Sequence, residues 1–298
     1  MSGVREVNYR VKPMSLMPMN PGCSESEPLK AEKTGDCLAN PAQPAEPETV
    51  ARVLDRFQPI TLGEIEPNGY FSRFDNKFIM HQGKLVPLLQ SLAREFRVLE
   101  NKGLRLFPYD SLYLDTDDFL FFHQHHSRRS NRIKVRWRTY RDSGRVYFEV
   151  KRKCHNNRTE KLRMEEPAIL ETLEPRHLAL FQSHAPAGTR LSPKISIRYD
   201  RMTLFAKQES IKITLDQNLS FDNTRDTHSL HGLVIGEIKC AQPRVPTCLL
   251  EILRGLAIRS VPFSKYAFGI GSMEPVKNNG IKPTSLLLKK ILHEQQSA

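Results

Sequence analysis

The sequence predicts an α+β fold, an antiparallel β-barrel with helices packed outside it, and three observations lead there. The first is RIKVRWRTY at residues 132–140. Arg132, Lys134, Arg136 and Arg138 alternate with Ile133, Val135 and Trp137, the period of two that gives a strand one cationic and one apolar face. The second is that similar alternation recurs in about six to eight segments, with Lys and Arg dominating the polar side. Like charges on neighbouring strands repel, so a sheet face turned to water usually mixes signs. A face of mostly one sign suits a concave surface that holds a polyanion, with the apolar side turned outward under helices. The third is concentration of charge. Residues 128–163 carry fourteen Lys or Arg against three acids, so 14 − 3 = +11 of the chain's formal +12.

The elements follow in order. Residues 1–48 are rich in Pro, Ser, Glu and Asn without periodic hydrophobicity and read as a disordered tail. The ordered domain is expected over 49–272, and a C-terminal linker and helix over 273–298. YFSRFDNKFIM (70–80) alternates, with Arg73, Asp75 and Lys77 opposite Phe74 and Phe78. Residues 83–97 predict a helix, from Leu85, Leu88, Leu89, Leu92 and Phe96 at spacings of three and four. SLYLDT (111–116) is strand-like. RIKVRWRTY and RVYFEVKRK (145–153) predict a hairpin joined by the Gly-containing turn 141–144. Residues 166–183 predict a helix entering after Pro167. KISIRYDRM (194–202), ESIKITLD (209–216) and GLVIGEIKC (232–240) are β-like. TCLLEILRGLAI (247–258) is an amphipathic helix, PFSKY (262–266) a polar turn, and SLLLKKILHEQQ (285–296) a last helix with Leu286, Leu287, Ile291 and Leu292 in its stripe.

Composition narrows the function. The +12 charge implies an anionic partner: nucleic acid, a membrane surface or a phosphorylated small molecule. Five cysteines without CxxC spacing read as free thiols in a reducing compartment. No apolar run approaches the roughly 18–20 residues of a membrane span, so a cytoplasmic protein is expected. His123, His125 and His126 come without carboxylate or cysteine ligands at metal spacing and read as a packed or solvated loop. Trp137 falls on the apolar strand face and reads as core.

Taken in order, SRFDNKFIM, SLYLDTDD, RRSNRIKVRWRTY, YFEVKRK, TEKLRM, IRYDRMTL, IKITLD, VIGEIKC and FSKYAFG resemble the VTC domain, the polyphosphate-polymerase module of the triphosphate tunnel group. The likeness covers roughly residues 70–270. It implies a barrel wrapped around a triphosphate and a divalent metal, Mn²⁺ or Mg²⁺, with ATP and inorganic polyphosphate as partners. Motif by motif, it implies phosphate-contacting roles for Lys77, Arg136, Arg138, Lys153, Lys161, Arg201, Lys212 and Lys265. Lys134, Lys151 and Lys239 lie beside these, and Arg198 rivals Arg201 because alternation does not settle which points inward. Glu237 matches the family's metal-binding glutamate; from spacing alone it reads as the ion-pair partner of a strand lysine. The chain departs from the family's relatives at Glu64-Ile65-Glu66-Pro67-Asn68, which lacks the lysine of an E-x-E-x-K motif. It also has Ser72 or Phe74 where the family usually has an acid, though Asp75 can substitute.

Such residues suit phosphate. A triphosphate entering a low-dielectric tunnel needs cations around it; arginine offers a planar fork and lysine a mobile point charge. Phosphoryl transfer needs positioning and charge neutralisation and no protein nucleophile. Three activities share these residues: a polymerase using ATP, a hydrolase of the same fold, and a non-enzymatic polyanion binder. Against nucleic-acid binding, Trp137 and Phe148 fall opposite the basic face, where stacking platforms should share it.

Overall fold

The computed structural model describes residues 48–65, 74–154, 159–242 and 244–293. Most of the expected tail, together with Glu66, Ser72 and Arg73, therefore lies outside the described residues. In chain order the elements are α1 (Val50–Leu54), β1 (Gln58–Ile60), α2 (Leu62–Ile65), β2 (Phe74–His81), α3 (Leu85–Leu92), β3 (Phe96–Leu99) and β4 (Phe107–Asp115). There follow α4 (Leu120–His126), β5 (Arg132–Tyr140), β6 (Val146–Lys153), β7 (Thr159–Glu166), α5 (Pro175–Ala179), β8 (Ser192–Ala206), β9 (Ile211–Asp222), β10 (Thr227–Leu230), β11 (Leu233–Cys240), α6 (Thr247–Gly255), α7 (Lys265–Met273) and α8 (Lys282–His293).

Among the described residues the strands form one sheet with the order β2-β11-β9-β8-β4-β5-β6-β7, every pair on that path antiparallel. Among those residues no pairing joins β2 to β7, so the barrel is a strongly curled sheet and not a closed ring.

The apolar strand face is turned outward, as the alternation predicts. Phe78, Met80, Met202, Leu204, Ile213, Leu215 and Ile238 pack against leucines of α3 and α6. On the other flank Ile133, Val135, Trp137, Phe148 and Val150 pack against Phe121 of α4 and Phe181. A third apolar cluster lies on the opposite, concave side. Ile79, Ile195, Ile197, Phe221 and Ile235 meet Tyr266, Phe268 and Ile270 of α7 and Leu288 of α8. Helix α7 thus fills one part of the concavity. Its close approach needs Gly269, where an added Cβ would lie 2.6 Å from Ile195 Cδ1 and 2.7 Å from Phe221 Cδ1.

Four local expectations are corrected. The helix expected over 83–97 ends at Leu92, and Phe96 enters β3 because that segment pairs with β8 and, in parallel, with β1. No helix spans 166–183. Glu166 closes β7, where it takes an ion pair from Arg176 and a hydrogen bond from the buried His177, and the short α5 starts only at Pro175, a residue suited to a first turn and not to a helix interior. PFSKY is a helix start, Ser264 capping α7 through the Ala267 N–H. In α8 the buried residue is Leu288, whereas Leu286 is 67% exposed.

Candidate active site

Strand register builds the site. From β2 through β11 to β9, Lys77 faces Glu237 and Glu237 faces Thr214; Asp75 faces Lys239 and Lys239 faces Lys212. Arg201 of β8 sits opposite Asp216 of β9. On the other wall Arg136, Glu149 and Arg163 align across β5–β7, as do Lys134, Lys151 and Lys161, and Arg132 pairs with Lys153. Side chains that alternate share a face, so these residues line the concavity together. The curl brings the walls face to face. Lys151 of β6 feels the charges of Lys239 on β11 and Asp75 on β2, and Lys212 of β9 feels Lys161 of β7, although these strands are far apart in sheet order.

Carboxylates fix the cations. Glu149, 1% exposed, takes Arg136 at 2.5 Å and Lys161 at 2.5 Å, with Arg138 at 3.8 Å. Asp216, 2% exposed, takes Arg201 at 2.5 Å and also Lys265, brought in by the first turn of α7. Lys239 lies 2.8 Å from Asp75 and 3.3 Å from Glu237, and Lys77 pairs with Glu237. Tyrosines hold the guanidinium groups: Arg136 donates to the Tyr113 hydroxyl at 2.7 Å and Arg138 to Tyr199 at 3.0 Å. Lys134 has the Ser264 hydroxyl at 3.0 Å.

The carboxylates do not neutralise the lining. Burial and surrounding cations, Lys239 and Lys151 among them, outweigh Asp75 and push Lys77 down to about 7. Burial and Lys239 push Lys151 to about 8, and burial with Arg201 does the same to Lys212. Lys134 is driven well below the ordinary lysine range by burial and then by Lys151 and Arg136. Burial opposes ionisation of Glu149 and Asp216, yet the cations around them hold both below the carboxylate range.

The structure therefore gathers Lys77, Lys134, Arg136, Arg138, Lys151, Lys161, Arg201, Lys212, Glu237, Lys239 and Lys265 around one concavity, with Lys153 lining a cavity at its edge. Arg198 is elsewhere. It lies on the outer face, half exposed, 3.3 Å from Asp110, so Arg201 is the arginine of that motif that points inward. Glu149 and Asp216 are central residues that sequence reasoning did not assign to the site; their signal was that they share strand parity with the lysines. Tyr199 carries the same signal beside Arg201, and Ser264 stands within FSKYAFG, whereas Tyr113 gave none.

For a divalent metal, the donor set is lean. Among the described residues no group of three or more His, Cys, Asp or Glu could hold an ion. Glu237 nevertheless offers a hard carboxylate, and beside it across β9–β11 the Thr214 hydroxyl is buried without a partner. One carboxylate, with phosphate oxygens and water completing the shell, is how Mg²⁺ is commonly held. The residues fit a metal that arrives with its phosphate ligand.

A curled antiparallel sheet, apolar and helix-covered outside and cationic inside, is the triphosphate tunnel architecture. The VTC domain family matches residues 72–274, and the chain belongs to that family; membership supports an activity concerned with triphosphate or polyphosphate. No curated protein matches the chain. Similar solved structures include a candidate adenylate cyclase from Vibrio parahaemolyticus, at 12% identity, TM-score 0.41, covering 66% of this chain and 97% of that one. One from Bacillus halodurans has 16% identity and TM-score 0.41, covering 67% and 96%. A candidate adenylyl cyclase from Hippeastrum with a dominant triphosphatase activity has 14% identity and TM-score 0.42, covering 66% and 95%. Among the described residues no helix is long and apolar enough to cross a membrane.

Proposed function

We propose that this protein is a polyphosphate polymerase that transfers the γ-phosphate of ATP to the end of a polyphosphate chain. The observation that carries the reading is the surplus of buried cations in the concavity. Lysines held near 7 or 8 by burial and mutual repulsion are unfavourable in a resting protein. A polyanion threaded among them would restore their ordinary protonation and satisfy both walls at once.

The residues take roles by geometry. Arg136, Arg138 and Arg201, already oriented by Glu149, Tyr199 and Asp216, present planar forks to phosphate oxygens. Lys77, Lys134, Lys151, Lys153, Lys161, Lys212, Lys239 and Lys265 act as point charges that hold donor and acceptor phosphates in line and neutralise the transferred group. Lys77 exchanges Glu237 for a phosphate oxygen as substrate enters, which frees the Glu237 carboxylate. Glu237 would hold Mn²⁺ or Mg²⁺ there, which would supply Lewis-acid neutralisation of the phosphate charge. The chain's own part is to bind and align, and no side chain need form a covalent intermediate.

The test is incubation with ATP and Mn²⁺, with products resolved on a gel stained for polyphosphate. A ladder of chain lengths with ADP release is expected, lost in Glu237→Gln while tripolyphosphate still binds. Phosphate release without a ladder would make the protein a hydrolase of the same fold, and absence of turnover with any divalent metal would leave a polyanion-binding module.

A further inference from the structure

A cavity of about 980 Å³ opens where β2, β5 and β6 meet α4, α7 and α8. Its two sides differ in chemistry. The strands bring cations, Lys77, Lys134 and Lys151 among them, and the helical segments bring carbon from Phe263, Ile281 and Leu287. Phosphate oxygens gain nothing from a carbon wall, because their hydration must be replaced by donors or cations. A base and sugar do gain, since their rings bury apolar area, and the size falls within the range of about 300–1,000 Å³ typical of small-molecule pockets.

We propose that this mouth seats the nucleoside of a nucleoside triphosphate. The base lies against the Ile281–Leu287 wall, beside the imidazole of His125, and the phosphates run inward to Lys77, Lys134 and Lys151. The inference rests on the reading of the concavity as a triphosphate site and adds where the nucleoside sits. The carbon wall is fixed in place. Leu288 anchors α8 in the apolar cluster, and the Gly280 N–H donates to His126 Nε2 at 2.9 Å, which ties the approach to α8 onto α4. The His126 ring in turn lies 5.7 Å from that of Phe122. His125 is held neutral, pushed down to about 2 by burial and then by Lys134, Arg132, Lys151 and Lys153. It therefore offers the base an uncharged flat ring in cationic surroundings. Ile281 and α8 lie beyond residues 72–274, the stretch matched to the family, so that part of the wall, unlike Phe263, lies outside the match.

The test is calorimetric titration of the full chain with ATP and, separately, with inorganic tripolyphosphate, both in Mg²⁺. Thr284 lines the same mouth, and Thr284→Trp would fill it. ATP affinity should fall about tenfold, a loss of about 1.4 kcal/mol, while tripolyphosphate affinity changes by less than about twofold. Leu287→Ser, a milder change, should shift the two ligands apart in the same direction. Equal losses for both ligands, or loss for neither, would overturn the nucleoside pocket while leaving the tunnel reading intact. Failure of the unsubstituted chain to bind tripolyphosphate would overturn the tunnel reading, and the pocket with it.

Discussion

One face of β9 carries two opposite environments. Lys212, Thr214 and Asp216 stand in the cationic concavity; beyond Asn218, at φ 55° in the left-handed region, Leu219 and Phe221 lie in the apolar cluster under α7. The register with β8 shifts by one residue there, as a bulge requires. The apolar end is satisfied by packing. The cationic end is not satisfied by its own protein, since Lys77, Lys151 and Lys212 are depressed and Lys134 has a hydroxyl where a carboxylate is needed. Helix α7 stabilises the curl at one end, and the other end stays under mutual repulsion that an anion can relieve.

Removing packing from the apolar end should give the largest effect. Phe221 is fully buried, and Phe221→Ala should lower unfolding free energy by about 3–5 kcal/mol, measured by urea titration. Tripolyphosphate affinity of the folded fraction should not change. A matching loss of affinity would show that the two ends are not separable.

The charged end has its own keystone in Glu149. Glu149→Gln leaves Arg136, Arg138 and Lys161 without their shared carboxylate, a change expected to destabilise by about 3 kcal/mol. Here tripolyphosphate should raise the melting temperature of the variant more than that of the parent, because the anion replaces the lost charge. Equal rises would mean that Glu149 and substrate do not share those cations.

How much of this was legible in sequence follows the same division. Alternation assigned Trp137, Val135 and Ile133 to the outer core and their neighbours to the concavity, since a period of two is local information. It could not show that Ile195, Ile197, Phe221 and Ile235 share the cationic side, because the helix that covers them comes later in the chain. Strand β8 exposes the problem. Its outer face reads Lys194, Ser196, Arg198, Asp200 and then Met202 and Leu204; its inner face reads Ile195, Ile197 and then Tyr199 and Arg201. Polarity changes sides halfway, which is why Arg198 and Arg201 could not be separated until register was known. Residues 166–183 failed for a related reason, a helical pattern overridden by the pairing of β7 and by Pro175.

Lys134→Met tests the strained end with the opposite sign. Its amine is buried against the Ser264 hydroxyl with Lys151 and Arg136 nearby, and methionine keeps the length of the side chain without its capacity for charge. Anion-free stability should rise by about 1–2 kcal/mol, while tripolyphosphate affinity falls about tenfold. A fall in both would mean that the Ser264 hydrogen bond at the start of α7 matters more than relief of repulsion.

The smallest expected effect is on pH, and it separates stability from binding. Lys77 titrates at about 7 in the folded protein against 10.5 for an ordinary lysine. Between those values the unfolded chain holds more protons, so anion-free stability rises with pH across that window. Binding has the reverse sign. Phosphate oxygens require the charged ammonium, so complex formation takes up a proton above about pH 7 and affinity declines as pH rises. Calorimetry at pH 7 and 9, in buffers of different ionisation enthalpy, should show this uptake and a loss of a few fold. The same titration of Lys77→Met removes that lysine's share, and the ionisation of tripolyphosphate itself is common to both proteins and cancels. An identical pH profile in the two would mean that Lys77 keeps its proton in the empty concavity, and that Glu237 and Asp75 satisfy it without any anion.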